Sequence, residues 1–364
     1  MSRLPADIGA RAPRCLIIRR DNIGDLVCTT PLLSALRLRY PNAWIGVLAN
    51  RYNAPVLAGN PDIDAVLAYR KAKHGDINPL ALAAERVRIV RDLRRRALDY
   101  AVVATPAYQP RAIRLARFLG ARQTIAFTQR GEAMRGVDVP ISAGEPGELA
   151  EAELVFRLAP ALGLDGAPPP LKVVPDGAAQ ARVRAALAER GLAGHAPVIG
   201  LHISARKPSQ RWPAERFAQL IRLLAHRERV CIALFWAPGG SSNRMHPGDD
   251  EKASEVLRAV QGAPVLAWPT SELAELIAGL SVCDQVIAAD GGAMHIAAAL
   301  GRPLVCLFGK SDARRWRPWR VPYELLQAVS QEVEQITVAE VIEAYHRLLS
   351  RQPSLHPRSS FSPQ

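Results

Sequence analysis

The sequence predicts an α/β protein built from two Rossmann-like units. Three observations carry this expectation. Short apolar runs alternate with longer amphipathic stretches of helical period. The alternation is interrupted once, at a Gly- and Pro-rich stretch, and then restarts. The chain of 364 residues is long for one core and comfortable for two of about 150 residues each.

In order along the chain, Cys15 to Arg19 (CLIIR) reads as a buried strand and Thr30 to Arg39 as a helix. Trp44 to Ala49 and Ala65 to Tyr69 are strand-like. Leu80 to Leu98 places apolar residues at helical spacing among many arginines, and Tyr100 to Ala104 returns to strand. A helix near Glu148 to Leu162 closes this half. Strands alternating with helices give βαβ units and a parallel sheet. Gly163 to Pro170 (GLDGAPPP) is the expected linker, because three consecutive prolines cannot continue a helix.

Beyond the linker, Ala178 to Arg190 reads as helix, Pro197 to His202 as strand, Pro213 to His226 as helix and Val230 to Trp236 as strand. Asp249 to Val260 and Ser271 to Leu280 are helical, followed by strand Gln285 to Ala289, helix Ala293 to Leu300 and strand Pro303 to Phe308. Thr337 to Leu349 is a late helix, with Thr337 and Glu340 spaced as a capping box. The expected divisions are therefore 1–167, 168–335, a C-terminal helix at 336–351 and a disordered Pro- and Ser-rich tail at 352–364.

Composition narrows the function classes. At 49% hydrophobic and 22% charged residues the chain has the make-up of an ordinary globular protein, which excludes a collagen, a disordered chain and a disulfide-dense scaffold. A formal charge of +13 favours anionic partners such as nucleic acid, phosphorylated lipid or a nucleotide. The cysteines at 15, 28, 231, 283 and 306 are scattered, with no CxxC pair, which argues against a thiolate metal site or a disulfide framework. Met1 to Pro13 lacks the apolar core of a signal peptide, and no stretch approaches the roughly 20 apolar residues that cross a bilayer. The expected location is the cytoplasm, against the cytoplasmic face of a membrane.

Chemistry is expected in loops that follow strands, where ligands bind in open α/β sheets. The first, Arg19-Arg20-Asp21-Asn22-Ile23-Gly24-Asp25, places Asp25 at the start of the next helix, either as a helix cap or as a general base. It contains neither GxGxxG nor a P-loop. The second, His202 to Pro213, combines Ser204, Arg206, Lys207, Gln210 and Arg211 before a helix whose first turn begins with proline, a phosphate-binding pattern or a solvated basic loop. The third, Asp290-Gly291-Gly292-Ala293-Met294-His295, runs from strand into helix, and its glycines would let backbone N–H groups approach a diphosphate. Gly309-Lys310-Ser311-Asp312 ends the next strand. His246, Asp249 and Asp250 would make a poor metal site; Asp249 reads equally as a cap.

Together these segments resemble glycosyltransferase family 9, the ADP-heptose:lipopolysaccharide heptosyltransferases and their relatives. The resemblance rests on IRRDNIGDLVCTTPLLSALRLRYP at 17–41, LHISARKPSQRWPAERFAQLI at 201–221 and CDQVIAADGGAMHIAAALGRPLVCLFGKSD at 283–312. It implies a GT-B fold, two Rossmann-like domains facing across a cleft, with the 336–351 helix packing back on the first domain. It also implies an inverting transfer of heptose from a nucleotide-activated donor, ADP-heptose, to the inner core of lipopolysaccharide, with no cofactor and no divalent metal.

By the family's motifs Asp25 would be the catalytic base, and the donor would be held by Gly24, Ser204, Lys207, Arg211, Asp290, Gly291, Gly292, Met294 and His295. The acceptor, of Kdo–lipid A type, would be held in the first half, with Arg94, Arg95 and Arg114 as candidates for its carboxylates. Two positions depart from the family pattern: Gln210 stands where many members carry Lys, and Gly309-Lys310-Ser311 replaces the commoner Gly-Pro-Thr. Contact with the inner-membrane surface is expected and nucleic acid is not. The alternatives are a transferase using another nucleotide sugar for a surface polysaccharide, a GT-B epimerase, and a non-catalytic nucleotide-sugar binding protein. A dehydrogenase is disfavoured by the missing GxGxxG.

Overall fold

The computed structural model describes residues 12–69, 79–144, 147, 149–194, 196–240 and 247–351. His246 and the expected tail at 352–364 lie outside the described residues. The chain divides into two compact units, Met1–Val174 and Pro175–Gln364, so the change of unit falls beyond the proline run.

The first unit runs β1 (Arg14–Ile18), α1 (Ile23–Val27), α2 (Thr30–Arg39), β2 (Trp44–Asn50), β3 (Ala65–Tyr69), α3 (Pro79–Arg95), β4 (Tyr100–Val103), α4 (Pro110–Phe118), β5 (Gln123–Thr128), β6 (Val139–Ser142) and α5 (Glu151–Phe156). Its six strands are ordered β3-β2-β1-β4-β5-β6, and all of the pairs are parallel. Register follows the apolar runs: Cys15, Leu16 and Ile17 of β1 pair with Ile45, Gly46 and Val47 of β2. A parallel sheet covered on both faces requires strands that are apolar throughout, and β1 and β4 are buried nearly end to end. Leu93 of α3 and Ala112, Ile113 and Ala116 of α4 close one face over Leu16, Ile18 and Val103.

The second unit runs α6 (Gly177–Glu189), β7 (Val198–His202), α7 (Ala214–Arg227), β8 (Cys231–Trp236), α8 (Asp250–Ala259), β9 (Val265–Pro269), α9 (Leu273–Ser281), β10 (Gln285–Ala289), α10 (Gly292–Ala299), β11 (Leu304–Phe308), α11 (Ala313–Trp316), β12 (Tyr323–Gln327) and α12 (Val338–Ser350). Its order, β12-β11-β10-β7-β8-β9, repeats that of the first sheet. Each sheet reverses direction of growth beside its first strand, between β1 and β4 and between β7 and β10. Such switch points are where this architecture receives ligands.

The capping box expected on α12 is present: Thr337 N–H donates to Glu340 Oε2 at 2.7 Å, and Glu340 N–H to Thr337 Oγ1 at 3.3 Å. α12 packs on its own unit. Its apolar face, Val338, Val341, Ala344, Tyr345 and Leu348, is buried in the core of the second unit with residues of β11 and α7. That stripe is used up within its own unit.

Candidate active site

In the first unit the site grows from the end of β1. Arg19 continues the ladder by donating its N–H to Leu48 O (3.1 Å). Its side chain, 1% exposed, lies among acceptors: Asp25 Oδ1 at 2.7 Å, Glu151 Oε1 at 2.6 Å, Asp21 Oδ2 at 3.0 Å and the Ala104 carbonyl. A guanidinium offers its donors in a planar fork, which suits it to join several oxygens at once. Glu151 reaches this point from the inner face of α5, where helical periodicity would otherwise place an apolar residue.

Asp25 is the third residue of α1, and its Oδ2 accepts from the Asn22 N–H (3.0 Å) and from Asn22 Nδ2 (2.9 Å). The N-cap is Asn22 rather than Asp25; Asp25 stands at N3 and reaches back to it as the acidic member of a capping box. Burial alone would raise its pKa, but the Arg19 charge and the hydrogen bonds from Arg19 and Asn22 outweigh burial and hold it below the ordinary 3.8. The carboxylate is therefore ionised at neutral pH. Arg19 and Asn22 fill three of about four acceptor positions on the carboxylate, and the side chain keeps 12% exposure. Gly24 lies buried in the same turn, so only its backbone is offered.

Beside this network opens a pocket of about 470 Å³ whose lining includes Arg20, Asp21, Tyr69, Thr105, Gln109 and Arg111. Thr105 Oγ1 donates to Asp21 Oδ2 at 2.9 Å, tying the end of β4 to the loop after β1. The expected acceptor residues lie elsewhere. Arg94 and Arg95 end α3, which leads into the start of β4. Their neighbour Arg96 stacks at 4.4 Å on Trp44, the first residue of β2, and its carbonyl accepts from Arg14, the first of β1. They occupy the edge where strands begin, opposite the Asp25 loop. Arg114 is exposed in the middle of α4 and does not line the pocket. Arg20 and Arg111 do line it. Tyr69, Thr105, Gln109 and Glu151 were not foreseen as site residues.

In the second unit the loops after β7 and β10 are joined by one amide. Gln210 Nε2 donates to Asp290 Oδ2 (2.7 Å) and Ser311 Oγ (3.0 Å), all three residues being buried. Gln210 is thus a neutral donor to the Asp290 carboxylate. Gln327 Nε2 donates to the Gly309 and Ser311 carbonyls, fixing the loop after β11. Ser204 Oγ accepts from the Ala237 N–H at 2.9 Å and so ties β7 to β8.

Arg211 donates Nε–H to the Ala205 carbonyl at 2.9 Å and stands 3.9 Å from Asp249. Lys207 and Arg206 are exposed on the loop. Asp249 makes no cap hydrogen bond through its side chain, whereas Asp250 accepts from Trp236 Nε1 and the Gly239 N–H.

The third loop divides in two. A Cβ added at Gly291 would meet nothing closer than Ala289 O at 4.0 Å, so the protein's own packing does not demand glycine there. Gly292 begins α10. The Met294 side chain is wholly buried, which leaves only its backbone to a ligand. His295 is also buried, its ring edge-on to Trp316 at 5.9 Å. The five cysteines are buried free thiols, consistent with their apolar surroundings in the sequence.

Two Rossmann-like units with this strand order are those of the GT-B fold. Residues 86–345 match glycosyltransferase family 9 (heptosyltransferase), and the chain belongs to that family. It is 30% identical to lipopolysaccharide heptosyltransferase 3 of Escherichia coli over 81% of this chain and 83% of that one. It is 25% identical to lipopolysaccharide heptosyltransferase 2 of Salmonella typhimurium over 93% and 99%.

Among solved structures, a family 9 glycosyl transferase from Veillonella parvula superposes with a TM-score of 0.79 at 21% identity, covering 93% of this chain and 98% of that one. The E. coli ADP-heptose lipopolysaccharide heptosyltransferase II gives 0.73 at 22% identity, covering 93% and 99%. An E. coli heptosyltransferase with ADP gives 0.70 at 19% identity, covering 92% and 99%.

Proposed function

We propose that this glycosyltransferase moves heptose from ADP-heptose to the inner core of lipopolysaccharide by a single inverting displacement, with Asp25 as general base. The observation that carries this reading is the Asp25 carboxylate itself: it is kept ionised by Arg19, retains one acceptor position and is partly exposed. In the step proposed, the acceptor hydroxyl gives its proton to Asp25 as its oxygen bonds to the anomeric carbon. The bond from that carbon to the diphosphate oxygen breaks with its electron pair, and ADP leaves.

The curated relatives are named as lipopolysaccharide heptosyltransferases 2 and 3, and E. coli heptosyltransferases of this fold are described with ADP and with ADP-2-deoxy-2-fluoro heptose. Those names support the donor and the acceptor class. The pocket beside Asp21 presents Arg20 and Arg111, cations suited to an acidic acceptor sugar. On the donor side, Lys207 and the N–H groups after Asp290 would take up charge developing on the diphosphate. No metal enters this scheme. The carboxylates of Asp21, Asp25 and Glu151 are all engaged by the Arg19 guanidinium, at 3.0, 2.7 and 2.6 Å.

Asp25→Asn tests the assignment. Removing a general base costs about 10²–10⁴-fold in rate, so turnover of ADP-heptose with a Kdo-bearing acceptor should fall by that range. ADP should still raise the melting temperature of the variant as it does that of the parent. Near-normal turnover would remove Asp25 from the mechanism, and stabilisation by UDP or GDP in preference to ADP would change the donor.

A further inference from the structure

The arginines that the acceptor pocket does not use are arranged on a surface of their own. α3 carries two stripes at a spacing of four, Arg86–Val90–Arg94 and Val87–Arg91–Arg95, which turn toward Phe118 at the end of α4. Together these residues line an open groove of about 630 Å³. Its floor is apolar and exposed: Val87 is 64% and Phe118 58% open to solvent. The Arg94 guanidinium lies 5.1 Å above the Phe118 ring, so the cation rides on the apolar surface rather than on a carboxylate. Among the described residues the one ion pair at the groove is Arg91 with its chain neighbour Asp92, at 4.0 Å. Arg88, Arg114 and Arg117 extend the exposed basic surface around it.

We propose that the α3–α4 face docks on an anionic lipid bilayer. Exposed apolar side chains ringed by arginine are the composition of an interfacial surface, where long basic stems lie along the hydrocarbon boundary and their heads meet lipid phosphates. Two other occupants suit it less. A second copy would bring this face against itself, like charge against like. Nucleic acid would be expected to use stacked aromatics along a channel, whereas the single ring here, Phe118, is already covered on one side by Arg94. The proposal is independent of which donor or acceptor the enzyme uses.

The test is co-sedimentation of the full chain with vesicles of phosphatidylcholine alone and of phosphatidylcholine with phosphatidylglycerol. Binding is expected only to the anionic vesicles and should weaken as salt is raised. Near an anionic surface each basic residue is worth about fivefold in partitioning, so the combined R91E, R94E and R95E variant should lose at least about a hundredfold. Phe118→Ser should lower binding without changing its salt dependence.

The control makes the same charge change on and just after α6 of the second unit, R182E, R184E and R190E, and should lose much less. Equal loss in the control, or equal binding to neutral vesicles, overturns the proposal. So does a groove variant that keeps vesicle binding but loses affinity for a single-stranded oligonucleotide. Circular dichroism of each variant separates these results from a failure to fold.

Discussion

Replacing Arg19 by methionine tests the most buried part of the site. The substitution keeps most of the apolar length of the side chain and removes the charge that lies between Asp25, Asp21 and Glu151. Glu151, 1% exposed, and Asp25 are then left as neighbouring anions without their cation. Removing one partner of a buried pair costs about 3–5 kcal/mol. For a unit of this size that corresponds to a drop of about 6–20 °C in its melting temperature.

The sign of the pH dependence follows from the shift. In the parent, the Asp25 pKa is depressed. Its contribution to stability is therefore present above the unfolded value of about 3.9 and is lost as pH falls through the folded value. In the variant the Arg19 charge is gone and only the Asn22 hydrogen bonds oppose burial, so the Asp25 carboxyl pKa rises and the penalty arises from ionisation. The difference between variant and parent should therefore shrink between about pH 7 and pH 5. Adding Glu151→Gln should restore part of the loss at neutral pH. The assay is urea unfolding of both proteins at the two pH values. A loss under about 1 kcal/mol, typical of an exposed ion pair, or one independent of pH, would refute the account of a buried charge network.

Gln210→Ala should leave buried oxygens of Asp290 and Ser311 without their shared donor and cost the second unit about 1–3 kcal/mol in urea unfolding. Gly291→Ala should melt as the parent does, because the added methyl meets only Ala289 O at 4.0 Å, yet show a reduced thermal shift with ADP if the diphosphate lies against this backbone. Burial pushes the Cys15 thiol up to about 12 and raises those of Cys283 and Cys306 as well, so these three should react with a thiol reagent at neutral pH only on unfolding.

The interior of each sheet was legible in the sequence because a buried parallel strand is a continuous apolar run. Gln285–Ala289 falls where the apolar pattern puts it, and β1, β2 and β7 to within a residue; Ala65–Tyr69 also coincides, although β3 is an edge strand and only partly buried. The strands that periodicity missed are mostly the edges. β6 (VPIS) carries a proline, which an edge position tolerates, and β9 and β12 are only partly buried and read as mixed segments. β5 lies inside the sheet, but its run opens with Gln and Thr, which blurs its start. The loops at the switch points were legible because Gly, Asp and basic residues gather after strands. Glu151 was hidden because a partner of a buried cation gives no local signal beyond an acid on an apolar stripe.

The distance of Arg94 and Arg95 from the pocket beside Asp21 has a physical cause that also explains the arrangement of charge. Composition shows that the first half is rich in arginine but not at which edge of the sheet each one lies. In a βαβ unit the first turn of a helix stands at the ligand edge and its last turn at the opposite one. Arg111, in the first turn of α4, therefore reaches the pocket beside Asp21, whereas Arg94 and Arg95, in the last turn of α3, cannot. The same reasoning applied to the second unit selects Gln210 and Asp290, whose contact spans the switch point between β7 and β10. With a neutral amide there, that contact contributes no cation. Arg211 is held by Ala205 and Asp249, which leaves the exposed Arg206 and Lys207 and the backbone after Asp290 to meet a diphosphate in the reading proposed above.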